Sequence, residues 1–410
     1  MLDTICLPES GFCNKQDSDL SATQKYEAVV VGAGPAGITV VGNLIEQKKT
    51  PILWVDNEFQ GGRLNKCYRE VPRCNTKVKL FVAFCDALSS FRKVEENTPR
   101  PNAYTHLQAL RQDGTCHIAE AADLCLMLTQ GLNQTFGVYK RLGTVSSASQ
   151  SDNSNWSITL ECSSNNVAEK LEINSNILIL CTGSYPKTNP LPVSHLQEIN
   201  LDIALKPTLL SSNCPKDFKI TVAVIGASHS AILVLRNFYN LARSSHQTLR
   251  IKWFTRHPLR YAEERDGWIL NDNTGLKGEV SIWAKENLEA GKLELSPVGK
   301  YLEKIETSKK EDQEVHVKHL NSCTHVVQAI GFIPHDIPIM ERNGKKMNPN
   351  FNHDLQIFEE NGKKVVGLFG AGIAWPQRVT DPEGHVSLDV GLWKFMKSAK
   401  KAAPLWHGAS

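Results

Sequence analysis

The run Val29-Val30-Val31-Gly32-Ala33-Gly34-Pro35-Ala36-Gly37 reads as the end of a buried strand, a glycine turn and the first turn of a helix that continues through residues 38–47. At such a junction each glycine of G-x-G-x-x-G has a mechanical task. Gly32 makes the tight turn, Gly34 lets a pyrophosphate approach the backbone, and Gly37 lets the helix pack on the sheet. Phosphate then sits at the positive helix N-terminus, beside Pro35 and Ala36. Pro51-Ile52-Leu53-Trp54-Val55-Asp56 reads as the next strand. A ribose-binding carboxylate belongs roughly 20 residues past the turn, and Asp56 stands there. A glycine-rich turn in an ordinary α/β core is the competing reading; the strands on both sides favour a dinucleotide.

The chain has 410 residues, room for two domains with substantial cores. Hydrophobic residues at 41% and charged ones at 22% describe an ordinary globular protein. A formal charge of +3, evenly spread, argues against nucleic acid or a membrane surface as partner. No apolar run approaches the roughly 18 residues of a spanning helix. Residues 1–25 lack the basic-then-apolar order of a secretory signal and are expected to be a disordered polar lead-in. Eleven cysteines, irregularly spaced and without any C-x-x-C, point to reduced thiols in a cytoplasm and to no structural metal.

Further along, residues 107–133 read as mixed helix. Residues 139–145, 156–161 and 171–173 read as short strands, and 177–180 as a separate buried strand ending at Cys181-Thr182-Gly183. A second strand–turn–helix–strand unit begins at Lys219-Ile220-Thr221-Val222-Ala223-Val224-Ile225-Gly226. Its turn is Gly226-Ala227-Ser228-His229-Ser230-Ala231, and its next strand finishes at Thr255-Arg256-His257. Helix is expected over 280–290 and over 386–402. Between them lie Val326-Val327-Gln328-Ala329-Ile330-Gly331-Phe332 and Val365-Val366-Gly367-Leu368-Phe369-Gly370-Ala371-Gly372.

This order of motifs resembles the two-dinucleotide-binding-domain flavoproteins, which include disulfide reductases and flavin-dependent monooxygenases. The resemblance covers nearly the whole chain. It implies an α/β fold of two Rossmann-like three-layer dinucleotide-binding domains, the NADPH domain inserted into the FAD domain. The expected division is 26–185 and 326–410 for FAD, with 186–325 for NADPH. FAD would occupy the first glycine motif, with Thr182-Gly183 closing the first half and Gly372 placing backbone beside the flavin. The second motif would hold NADPH. Ser228 there replaces the middle glycine and offers a hydroxyl to phosphate, and His229 and Ser230 complete the turn. Arg256, His257 and Arg260 follow the next strand where NAD sites carry an acid, and guanidinium forks suit the 2′-phosphate of NADPH.

Two branches of this family differ in what the flavin does next. A disulfide reductase needs a close dithiol, and Cys67 and Cys74 are the nearest candidates, with Pro72 between them. The segment Gly61-Gly62-Arg63-Leu64, followed by Val71-Pro72-Arg73-Cys74-Asn75-Thr76-Lys77, looks instead like the monooxygenase branch. By position Gly62 and Arg63 fall to the cofactor, and Asn75 to the flavin edge, where an amide holds the ring or its oxygen adduct away from water. The F-x-G-x-x-x-H signature of the simple monooxygenases is absent; its nearest counterpart is His195. His385 and Val386 are expected at the start of the last helix, with the Val386 amide facing the flavin and His385 available for a proton. The resulting reading is a cytoplasmic FAD enzyme that takes hydride from NADPH and oxygenates a small organic substrate. The alternatives are an NADPH-dependent reductase of a thiol, quinone or protein, and a regulatory flavoprotein with little turnover.

Overall fold

The computed structural model describes residues 24–71, 76–164, 167–216, 218–307 and 313–408. Asn75, Cys74 and the lead-in at 1–23 lie outside the described residues. Two large sheets organise the rest, a mixed one of nine strands and a parallel one of five.

In the first sheet, strand Lys25–Val31 runs parallel to Ile52–Asp56 on one side and to Val167–Leu180 on the other. Val138–Leu142 extends one edge, and Leu368–Gly370 adds to Val167–Leu180. Residues 28–30 and 52–54 are uninterrupted apolar and fully buried, as parallel strands covered on both faces require. Helices Pro35–Glu46, Val78–Asp86, Ser89–Asn97, Ile118–Asn133 and Leu392–Ala402 cover one face. Each side chain fully buried there contributes roughly 1.5–3 kcal/mol. Strands cover the other face, around Trp156, Met340 and Phe358.

The pieces expected at 171–173 and 177–180 are one strand, Val167–Leu180. Its first half pairs antiparallel with Trp156–Ser164 and its second half parallel with Lys25–Val31. The polar break between them is bridged because the buried Ser175 hydroxyl donates to the Ile177 carbonyl at 2.8 Å.

The second sheet is all parallel, in the order Leu302–Glu306, Arg250–Thr255, Thr221–Ile225, His325–Gln328, Gln197–Glu198. Helices His229–Ser244 and Gly278–Asn287 pack on one face and Gln313–Asn321 on the other. Strand His325–Gln328 therefore belongs to this inserted unit rather than to the returning segment expected from 326 onward. All four of its residues are buried between sheet neighbours. The chain crosses out through Ser184–Pro186 and returns through Phe332–Pro334, and these two crossings pair antiparallel.

The last helix starts at Leu392, not at 386. Val386–Leu388 instead forms a hairpin with Arg378–Thr380. The Asp381 carboxylate accepts the amides of Glu383 and His385 at 3.0 and 2.8 Å, which fixes the reversal. Gly391, at φ +139, separates the hairpin from the helix. Among the described residues no helix is long and apolar enough to cross a membrane.

Candidate dinucleotide sites

The first glycine turn is shaped by close backbone approaches. Gly32 has φ +108, and a Cβ there would lie 2.3 Å from the Cys181 carbonyl oxygen. A Cβ on Gly34, by contrast, would find among the described residues only the Gly62 Cα within 4 Å, at 3.6 Å. Gly34 thus faces open space whose far wall is backbone. Gly372 seals another side, where an added Cβ would sit 2.4 Å from that of Ala36. Helix Pro35–Glu46 begins at this opening with proline in its first turn and no acidic residue there. Its free amides and positive end suit a phosphate group. Asp56 is anchored beside it. One carboxylate oxygen accepts the Ala33 amide at 2.7 Å, and the other accepts the amides of Glu58 and Phe59, both at 2.7 Å. A cavity of about 390 Å³ adjoins Asp56, lined by Asn57, Leu142, Gly143, Thr144, Glu161, Cys162 and Ala168.

Thr182 Oγ1 and Arg63 Nε are buried polar atoms without a hydrogen-bond partner among the described residues. Both stand in segments expected to hold the cofactor, and each retains hydrogen-bonding capacity for one. The rest of the Arg63 guanidinium is engaged across the two units. It pairs with Asp202 at 2.5 Å, donates to the Tyr68 hydroxyl at 3.1 Å, and lies over the rings of Tyr68 and Phe332. Gly183, at φ +73, has open space around it.

The second turn repeats the plan. Gly226 has φ +131 and would push a Cβ within 2.3 Å of the Ala329 carbonyl oxygen. Helix His229–Ser244 starts after exposed Ser228, again with no acid in its first turn. The Ser228 hydroxyl reaches the Ala329 carbonyl at 3.4 Å, and Ser230 is half-buried beside it. Burial and the Lys277 ammonium push His229 down to about 4, so it stands neutral at physiological pH. Arg256 and Arg260 are exposed past the end of strand Arg250–Thr255, and no ion pair among the described residues engages either.

The two first-unit helices that flank the opening run the same way. Asn43 meets Met396 and Lys49 meets the Trp406 carbonyl, so the starts of helices Pro35–Glu46 and Leu392–Ala402 lie at one end of the sheet. The helix start expected near Val386 is therefore the one at Leu392. Val386 itself is 61% exposed on the hairpin. His385 is also exposed and its ring meets Asp381 at 3.2 Å. The slight burial of Asp381 is outweighed by the amide and ring of His385, which hold its carboxyl below the usual range.

A polar cluster that no motif announced joins the units here. Asp272 takes a hydrogen bond from Lys277 in its own unit and another from Lys394, in the first turn of helix Leu392–Ala402. Asn273 accepts from Lys394 and donates to Ser387 Oγ at 2.9 Å and to Asp389 at 3.0 Å. Lys394 also lies 3.3 Å from Asp389. The contacts that cross between the units join residues more than a hundred positions apart, so only the fold reveals them.

Among the described cysteines, Cys67, Cys85, Cys125, Cys162, Cys181, Cys214 and Cys323 are free thiols and buried, and Cys116 is buried as well. Burial pushes the Cys67 thiol up, the opposite of what a nucleophilic thiolate needs.

Two glycine turns at the ends of interior strands of two Rossmann-like sheets, one unit inserted in the other, define a dinucleotide-dependent oxidoreductase fold. Solved structures share it. S-allyl-L-cysteine S-oxygenase from Allium sativum superposes with TM-score 0.54 at 12% identity, covering 94% of this chain and 77% of that one. Bacillithiol disulfide reductase Bdr from Staphylococcus aureus gives 0.50 at 12% identity, covering 93% and 98%. No family model matches. Monooxygenase AgnR1 from Paecilomyces divaricatus is 46% identical over 395 residues, 95% of this chain and all of that protein, and the chain belongs to its family of monooxygenases.

Proposed function

We propose that this protein is a cytoplasmic monooxygenase that holds FAD in the first unit and NADPH in the second, and acts on a small organic substrate. The observation that carries the FAD assignment is the backbone-walled opening at Gly34, with Thr182 Oγ1 and Arg63 Nε left without hydrogen-bond partners among the described residues. Once bound, FAD would accept hydride and activate oxygen, chemistry the side chains alone do not provide. Amides at the start of helix Pro35–Glu46 would hold the pyrophosphate, Asp56 the ribose, and the adjoining cavity the adenine. Arg256 and Arg260 would take the NADPH 2′-phosphate, with Ser228 and Ser230 near the pyrophosphate. The start of helix Leu392–Ala402 would receive the negative charge that gathers on the ring edge. Asn75 is assigned to the ring edge by its place in the sequence, to exclude water and donate a hydrogen bond.

The thiol-reductase reading is disfavoured by the buried, raised Cys67 thiol. Anaerobic mixing of the FAD-loaded protein with NADPH should bleach the flavin; a yellow solution that stays yellow would remove hydride transfer. Asn75→Ala should divert NADPH consumption to hydrogen peroxide, and an unchanged peroxide yield would take Asn75 out of the site.

A further inference from the structure

We infer that Asp272, Asn273 and Lys394 form a positioning clamp that sets the nicotinamide turn of the inserted unit against the start of helix Leu392–Ala402. The assignment of cofactors to these two ends rests on the function proposed above; the clamp itself is read from the contacts. Lys394 sits in the first turn of a helix, where a cation opposes the helix dipole. Helix stability does not call for it there. What holds it is three acceptors, namely Asp272 and Asn273 of the inserted unit and Asp389 of its own. Asn273 uses both ends of its amide across the interface, accepting from Lys394 and donating to Ser387 and Asp389. One carboxylate, Asp272, thereby takes a lysine from each unit.

The cluster also leads directly to the second glycine turn. Lys277, the other partner of Asp272, is close enough to His229 to lower its proton affinity. Asp272 thus joins Lys394 of the first unit to Lys277, whose charge is felt at His229 in that turn. The side chains of Lys277, Asp272, Lys394 and Asp389 are only 19%, 30%, 18% and 15% exposed, so water screens them weakly. Hydride transfer requires the nicotinamide and flavin rings in near-attack geometry, to which an error of about 1 Å is costly. A joint between the two units at this end is where that geometry is set.

The test uses the full-length FAD-loaded protein and the variants Asp272→Ala, Lys394→Met, Lys394→Arg and the Asp272→Ala/Lys394→Met double. Hydrogen exchange over residues 271–277 and 387–394 reads the clamp without any turnover. Stopped-flow reduction at saturating NADPH reads its use. The alanine and methionine variants should exchange about tenfold faster in both segments and lose about tenfold in limiting reduction rate. FAD content should hold, and half-saturation by NADPH should move less than about threefold. The double variant should be no worse than the poorer single, and Lys394→Arg should recover most of the rate. Unchanged exchange, or single effects that add in the double, would overturn the clamp. Clamped exchange without any bleaching of the wild type would instead overturn the cofactor reading and leave the joint in place.

Discussion

Burial and the neighbouring Lys277 ammonium hold His229 at about 4, so between the ordinary histidine value near 6.5 and 4 the unfolded chain takes up a proton that the folded chain refuses. With more protons bound in the unfolded state, stability falls as pH drops through that window. Thermal melts at pH 7.5, 6 and 5 should show this, and His229→Gln should flatten the slope against wild type. A parallel slope in the variant would mean that other groups carry it. Arg256 has a different task. Arg256→Ala should raise the half-saturation for NADPH by about tenfold or more, given the ~1.5–3 kcal/mol of a charge-assisted hydrogen bond, and leave NADH unaffected. An equal loss for both coenzymes would place the arginine away from the 2′-phosphate. At this scale the sequence was informative where a residue's role is backbone-borne, as at Gly32 or Gly372. It was silent on the contact between Asp272 and Lys394, which lie more than a hundred residues apart.

Elements were legible in proportion to their burial. The strands Lys25–Val31, Ile52–Asp56 and Thr221–Ile225 and both glycine-turn helices are continuous apolar or periodic segments, and they form where the pattern places them. The start of the last helix was misplaced because residues 386–390 alternate apolar and polar like a strand, and the Asp381 turn makes them one. Gly372 couples an element boundary to the first glycine-turn helix through Ala36. Gly372→Ala should cost roughly 1–3 kcal/mol through overpacking against Ala36 at positive φ. Urea unfolding would measure the cost, and the variant should also retain less FAD through purification. A normal FAD content would show that the opening tolerates the added methyl.

At the scale of the molecule, the units meet on two sides. On one, Arg63 reaches Asp202 and Glu70 reaches Thr208; on the other, Lys77 pairs with Glu264 at 2.8 Å and Lys394 with Asp272. Asp202→Asn should lower stability by about 1 kcal/mol, because a partly buried guanidinium loses its charged partner. The loss should be largest at low salt. A fall that is insensitive to salt would assign the effect to the short helix Leu201–Ala204 instead. The two-unit plan was legible from the repeated glycine turns, whereas the pairing of residues across the joining faces was not.

The placement of strand Leu368–Gly370 and helix Leu392–Ala402 has a consequence for how the molecule is made. Both complete the first sheet and the layer over its opening, yet they leave the ribosome after the whole inserted unit. The nascent first unit therefore waits, with one flank of strand Val167–Leu180 and the side of helix Pro35–Glu46 uncovered, while more than a hundred further residues are translated. If these two elements help to enclose FAD as proposed, its enclosure would follow translation of the inserted unit.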